Sequence, residues 1–250
     1  MNEKIIHAKS ELEVPDFKTI GIMGGMGPQA TLDIVARMQE YSAHLVPQFG
    51  NRGYPPMVIR MINESNVLLT PDGTAVIEPV KPAAELIEMA KFIGLNADVL
   101  IMTAHTAHIF RKEVEEAAGK PITSIVDVAV NEAVKRGNKK VGIMAIGPTV
   151  RSGLYQNPLE EHGIESVLLP EELGKNLDDG AIYMVQEGEN PADFVEPVME
   201  AVRFFKGQKV DGIILGCTEL PLLLKGLTDP IIINPSQLLA EAAIEAALIR

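Results

Sequence analysis

The chain has 250 residues, 46% of them hydrophobic and 22% charged, with a formal charge of −12 and a pI near 4.9. That is the composition of a globular protein able to bury a sizeable core, and its acidic balance excludes an electrostatic grip on nucleic acid or anionic lipid. The single cysteine excludes an internal disulfide, and no apolar run reaches the roughly 18 residues that a membrane helix needs. The first stretch, MNEKIIHAKSELEVPDF, is polar throughout, so no secretory leader is expected and a cytoplasmic setting is.

In chain order, short apolar runs predict strands at 19–24, 56–62, 97–102, 122–126, 140–146, 166–170, 211–216 and 230–234. Amphipathic stretches between them predict helices at 29–45, 79–94, 107–118, 127–136, 153–162, 177–187, 192–207 and 236–249. Strands that are apolar without alternation suit parallel sheets covered on both faces, which predicts an α/β fold. With aromatics at only 4% and no Trp, the core must be built from aliphatic side chains and Met. Met23, Met102 and Met144 fall at strand positions and read as core fillers.

The sequence echoes itself. GIMGG at 21–25 resembles GIMAI at 142–146, and ADVLIMTAHTAH at 97–108 resembles VDGIILGCTELP at 210–221, with Asp98 matching Asp211. At the same offset Cys217 falls on Ala104, so a methyl group stands where symmetry would put a second thiol. The echo suggests two related lobes.

Cys217 follows an apolar strand in Gly216-Cys217-Thr218-Glu219. Ends of parallel strands collect ligands, because backbone amides and the next helix point there, and a thiol so placed is a candidate acid/base. The alternative is a small buried hydrophobe. The glycine loop at 24–28 lacks both the Walker lysine and the dinucleotide spacing.

Taken together, Gly24-Gly25-Met26-Gly27-Pro28, Thr106-Ala107-His108 and Gly216-Cys217-Thr218-Glu219 resemble the motifs of the cofactor-independent aspartate/glutamate racemase superfamily. The resemblance runs from residue 19 to residue 243. It implies two pseudo-symmetric lobes, each a mostly parallel sheet flanked by helices, with the active-site cleft between them. The lobes would span 1–120 with 225–250, and 121–224. It implies a small amino acid or carboxylate as substrate, no cofactor, proton transfer at Cα, and a possible homodimer. Cys217 would be the surviving catalytic thiol, with Thr106, Thr218 and the Met26 and Gly27 amides stabilising the carbanion's carboxylate. Ala104, Thr149 and Glu219 complete the expected substrate-binding set, although Thr149 reads equally as a helix N-cap.

Departures from the family pattern bear on the chemistry. Its first catalytic cysteine falls on Ala104, and the asparagine that follows falls on His105. Inversion needs an acid and a base on opposite faces of a planar carbanion, so a single thiol also suits a decarboxylase or isomerase of the arylmalonate decarboxylase type, or a homologue that only binds. His105 is the candidate opposite-face base, or else a residue that hydrogen-bonds the fold. An arginine that aspartate racemases carry falls on Gly73, and a lysine falls near Glu187, so Arg52, Arg60 or Arg151 would have to hold an acidic side chain. His105 and His108 lack a third ligand at metal spacing, so no metal is expected.

Overall fold

Eight of the apolar runs form parallel strands in two four-stranded sheets. The structure, a computed structural model, describes residues 14–70, 76–77, 79–145, 147–178, 182–226 and 229–249. The N-terminal stretch through residue 13 and the 71–74 segment compared with the family's arginine motif lie outside these residues.

In the first sheet β1 (Ile20–Gly24), β2 (Met57–Met61), β3 (Val99–Met102) and β4 (Ile122–Thr123) lie in the order β2-β1-β3-β4. In the second, β5 (Lys140–Met144), β6 (Glu165–Leu168), β7 (Gly212–Leu215) and β8 (Ile232–Ile233) lie in the order β6-β5-β7-β8. The two orders are the same topology. β4 and β8 fall just past the boundaries expected at 120 and 225, yet each completes the sheet of the preceding lobe.

The internal echo has a structural cause. Asp98 Oδ2 accepts the Thr19 amide at 3.0 Å, and Asp211 Oδ1 accepts the Lys140 amide at 3.0 Å, so each aspartate anchors the start of the neighbouring strand. At the other ends, the Thr103 amide donates to Met23 O at 3.0 Å and the Gly216 amide to Met144 O at 2.7 Å. Ala104 and Cys217 are the next residues in each lobe. Gly21 and Gly142, the paired glycines of the echo, are places where a helix presses on the strand. A Cβ there would stand 2.5 Å from Ile93 Cγ2 and 2.5 Å from Phe205 Cδ1, respectively.

The helices are α1 (Pro28–Leu45), α2 (Ala84–Asn96), α3 (Arg111–Ala118), α4 (Ile125–Lys135), α5 (Gly147–Arg151), α6 (Gln156–Glu161), α7 (Glu171–Leu177), α8 (Tyr183–Gln186), α9 (Val195–Gly207), α10 (Leu220–Leu223) and α11 (Pro235–Ala247). The strand predicted at 122–126 stops at Thr123 because Ser124 caps α4, its Oγ accepting the Val126 and Asp127 amides at 3.2 Å each. Of the helix predicted at 153–162 only α6 forms, at 156–161; Gly153, whose φ of 69° lies in the left-handed region, separates it from α5, which precedes the predicted stretch. Three apolar cores result. The central one joins Ile22, Ile34 and Ile101 of the first lobe to Ile143, Ile214 and Ile244, with α11 packed between α1 and α4. Met23 and Met102 fill the outer core of the first lobe and Met144 that of the second.

Candidate active site

The carboxyl ends of the two sheets face each other across a cavity of about 210 Å³. Ala104, His105 and Thr106 line it from the first lobe, and Thr149, Cys217, Thr218 and Glu219 from the second, with Met26 and Gln186 at its edge. Every expected site residue except Gly27 is in this wall; Gly27 lines an adjoining pocket, and a Cβ there would stand 2.8 Å from Glu219 Oε1. Thr31 fixes the glycine loop by accepting the Gly25 amide at 3.0 Å and donating to Gly27 O at 2.9 Å.

Cys217 is half-buried, and its Sγ donates to Glu219 Oε2 at 3.0 Å. Burial pushes the thiol well above its usual pKa, and the negative charge of Glu219 adds to that. The Glu219 carboxylate, 1% exposed, also accepts Thr218 Oγ1 on Oε2 at 3.2 Å and Gln186 Nε2 on Oε1 at 3.2 Å. No salt bridge reaches it among the described residues. Hydrogen bonds alone therefore hold this buried acid. Gly216 lines the cavity and packs tightly behind it, where a Cβ would lie 2.5 Å from Ala145 Cβ.

On the first-lobe wall, Ala104 offers only its methyl. Thr106 Oγ1 accepts Asn66 Nδ2 at 2.6 Å, which leaves its hydroxyl hydrogen to donate. His105 is 4% exposed, with Nδ1 2.7 Å from Tyr155 Oη and no partner on Nε2. Burial lowers its pKa to about 3, so the imidazole is neutral. His108 lies behind the wall. Its Nδ1 is 2.8 Å from Ala104 O and its Nε2 accepts the Ile125 amide at 3.3 Å, so the backbone uses both nitrogens and none is left for a metal. Burial lowers this histidine's pKa to about 4.

Thr149 lies within the first turn of α5, so it is a wall residue and not the N-cap that its sequence allowed. The proposed arginine substitutes are elsewhere. Arg52 donates to Val14 O, Arg60 lies over the Phe92 ring at 5.4 Å, and Glu187 follows α8 on the surface. Arg151 and Lys175 line a neighbouring pocket of about 400 Å³ that meets the cavity at Gly147 and Asp178. A larger pocket of about 690 Å³, lined by Asn63, Glu64, Ser65 and Asn66, meets it at Met26, Thr106 and Gln186. Sequence reasoning did not single out Tyr155, Asp178 or Gln186. Each sits inside or beside a predicted helix, and no local pattern announces which face meets the other lobe.

Comparison with known proteins agrees with this architecture. Residues 23–243 match the family described as Asp/Glu/Hydantoin racemase. The chain is 25% identical over 231 residues to a broad specificity amino-acid racemase of Bacillus subtilis, covering 92% of this chain and 98% of that one. It is 33% identical over 142 residues to a glutamate racemase of Aquifex pyrophilus, but there the match spans 56% of this chain and only about half, 53%, of the relative. Among solved structures, an aspartate racemase homologue from Pyrococcus horikoshii superposes with a TM-score of 0.69 at 27% identity, covering 92% of this chain and 98% of that one. Two parallel sheets, the cavity between their carboxyl ends and a family match over most of the chain lead to one assignment: the protein belongs to the Asp/Glu/hydantoin racemase family, a family of isomerases.

Proposed function

We propose that this protein exchanges the α-hydrogen of a small amino acid or related carboxylic acid in the interlobe cavity, without a cofactor and with Cys217 as its proton carrier. The observation that carries this reading is the contact between Cys217 Sγ and the buried Glu219 carboxylate at 3.0 Å, on the wall of the cavity. Glu219 Oε2 takes the thiol proton, and the thiolate then takes the hydrogen from Cα. The C–H electron pair moves into the substrate carboxyl group, giving an enediolate that Thr106 and the Met26 and Gly27 amides stabilise. The raised thiol pKa makes the thiolate scarce and a stronger base once formed. Return of the proton by Cys217 gives exchange with retention, and protonation of the opposite face gives inversion. Water and His105 are the available carriers on the Ala104 side.

Arg151 and Lys175 line only the neighbouring 400 Å³ pocket, and among the described residues no Lys or Arg lines the central cavity or the 690 Å³ pocket. A neutral side chain fits that surface better than a carboxylate does. Incubation with a panel of amino acids of both hands in D₂O tests the reading. It predicts deuterium at Cα for at least one of them and none with Cys217→Ser. Absence of exchange across the panel would overturn it.

Ala104 favours a second reading. With a methyl opposite the thiol, a carbanion formed by loss of carbon dioxide needs only one proton donor. Release of carbon dioxide from a substituted malonate, with Cα deuteration in D₂O and no exchange of amino acids, would select this one-thiol lyase.

A further inference from the structure

Resting on the reading of the interlobe cavity as a small-acid site, we propose that the pocket between α5 and α7 is a separate anion subsite. It takes the distal carboxylate or phosphate of a substrate whose reacting carbon lies at Cys217, the two ends being joined by an apolar chain.

The reaction cavity has two side arms, and the internal repeat relates them. In the first lobe, the chain leaving β1 (Gly25 to Pro28) and β2 (Ile62 to Asn66) lines the pocket of about 690 Å³. In the second lobe, the chain leaving β5 (Ala145, Gly147 and Arg151) and β6 (Leu169 and Pro170) lines the pocket of about 400 Å³. β1 with β2 and β5 with β6 are equivalent parallel pairs, so the arms are one crevice repeated. Both lie outside the carboxyl ends of their strands, where α/β sheets hold ligands. The first arm meets the cavity at Met26, Thr106 and Gln186, the second at Gly147 and Asp178.

Their charges differ. Among the described residues the first arm has Glu64 as its one charged side chain, whereas the second has Arg151 from α5 and Lys175 from α7. Neither cation has an ion-pair partner among the described residues. Two acids also line the second arm: Asp178 stands at its junction with the cavity, and Glu171 alone accompanies the cations beyond it. Two unpaired cations against one acid draw a negative group into this arm, and Glu64 repels it from the other. Val150, Leu168, Leu169 and Pro170 give the second arm an apolar surface on which a methylene chain can lie.

Calorimetric titration with α,ω-dicarboxylates from succinate to suberate, each paired with the monocarboxylate of equal length, tests the subsite. The ratio of the two affinities cancels whatever the shared carboxylate contributes. It should rise to about tenfold at the chain length that reaches Arg151 and Lys175, and fall at about 0.5 M salt. Arg151→Gln and Lys175→Gln should each lower it about three- to fivefold, as expected for exposed ion pairs, and together bring it to about one. Both side chains are exposed, so melts close to wild type are expected, and Arg151→Lys should keep most of the ratio. An ω-phosphonoalkanoate of the best length separates the two kinds of end group: the one that loses more affinity in the double variant is the one the arm fits. A ratio near one at every length, or a raised ratio undiminished in the double variant, would overturn the inference. If Glu64→Gln alone changes the ratio, the anion sits in the first arm and the inference also fails. Binding needs no turnover. Absence of deuterium exchange with the length-dependent gain intact would count against the racemase reading alone, and exchange with a flat ratio against the subsite alone.

Discussion

Cys217 Sγ lies 3.0 Å from Glu219 Oε2, so the one thiol of the chain already points its proton at a carboxylate that is sealed from solvent. If this pair moves the proton, Glu219→Gln should lower Cα deuterium exchange by about 10²- to 10⁴-fold, the usual contribution of a positioned base. The glutamine retains the side chain's size and an amide oxygen for its neighbours, so a Tm close to wild type would separate loss of chemistry from loss of fold. Unchanged exchange would mean that solvent, and not Glu219, receives the thiol proton.

The same contact sets a pH dependence. Because burial and Glu219 raise the folded thiol's pKa, exchange should climb with pH throughout the alkaline range without levelling near the ordinary thiol value of about 8.5. Stability moves the other way. A raised folded pKa contributes stability that is present below the unfolded value and is lost as pH rises above it. Thermal melts should therefore fall above about pH 8.5 more steeply for wild type than for Cys217→Ala.

The two buried histidines contribute to acid stability. His105 and His108 have folded pKa values lowered to about 3 and about 4, so each contributes stability that is present above the unfolded value of about 6.5 and is lost as pH falls toward the folded ones. Melting temperature should drop as pH goes from about 6.5 to 4, and His108→Gln should flatten that slope while lowering stability at neutral pH. A flat acid limb in the wild type would contradict the neutral, buried imidazoles.

Ala104→Cys places a second thiol at the position related to Cys217 by the repeat. It should raise the ratio of inversion to simple exchange, read by chiral chromatography alongside deuterium content. A ratio unchanged from wild type would show that the Ala104 side does not face Cα.

Gly142→Ala tests the packing that shapes the second lobe. The added methyl would start 2.5 Å from Phe205 Cδ1, and overpacking of this kind costs about 1–3 kcal/mol. Chemical denaturation should report that loss, with Tm lower by about 2–4 °C for each kcal/mol.

Much of this was legible from the residues alone. Unbroken apolar runs gave the strands, because parallel strands are covered on both faces, and the pairing of Asp98 with Asp211 reflected a real anchoring role. The motif around Cys217 identified a wall of the cavity, but the sequence left open whether its thiol would be inert, and only the approach of Glu219 resolves what the proton faces. Tyr155 could not be found in this way. It meets His105 from 50 residues away across the lobe boundary, a contact that depends on how α5 breaks from α6 at Gly153. Gln186 is similar: its partner Glu219 is 33 residues distant.

The central core has a bearing on how a molecule gets in. Since Ile22, Ile143 and Ile244 belong to one continuous apolar mass, with α11 wedged between α1 and α4, the lobes cannot swing apart without tearing it open. The Met26 loop and short α8 border the cavity, and Gln186 ties α8 to both sides of it, accepting Gln29 Nε2 on its carbonyl at 3.5 Å and donating to Glu219 Oε1 at 3.2 Å, so a path in has to pass this junction.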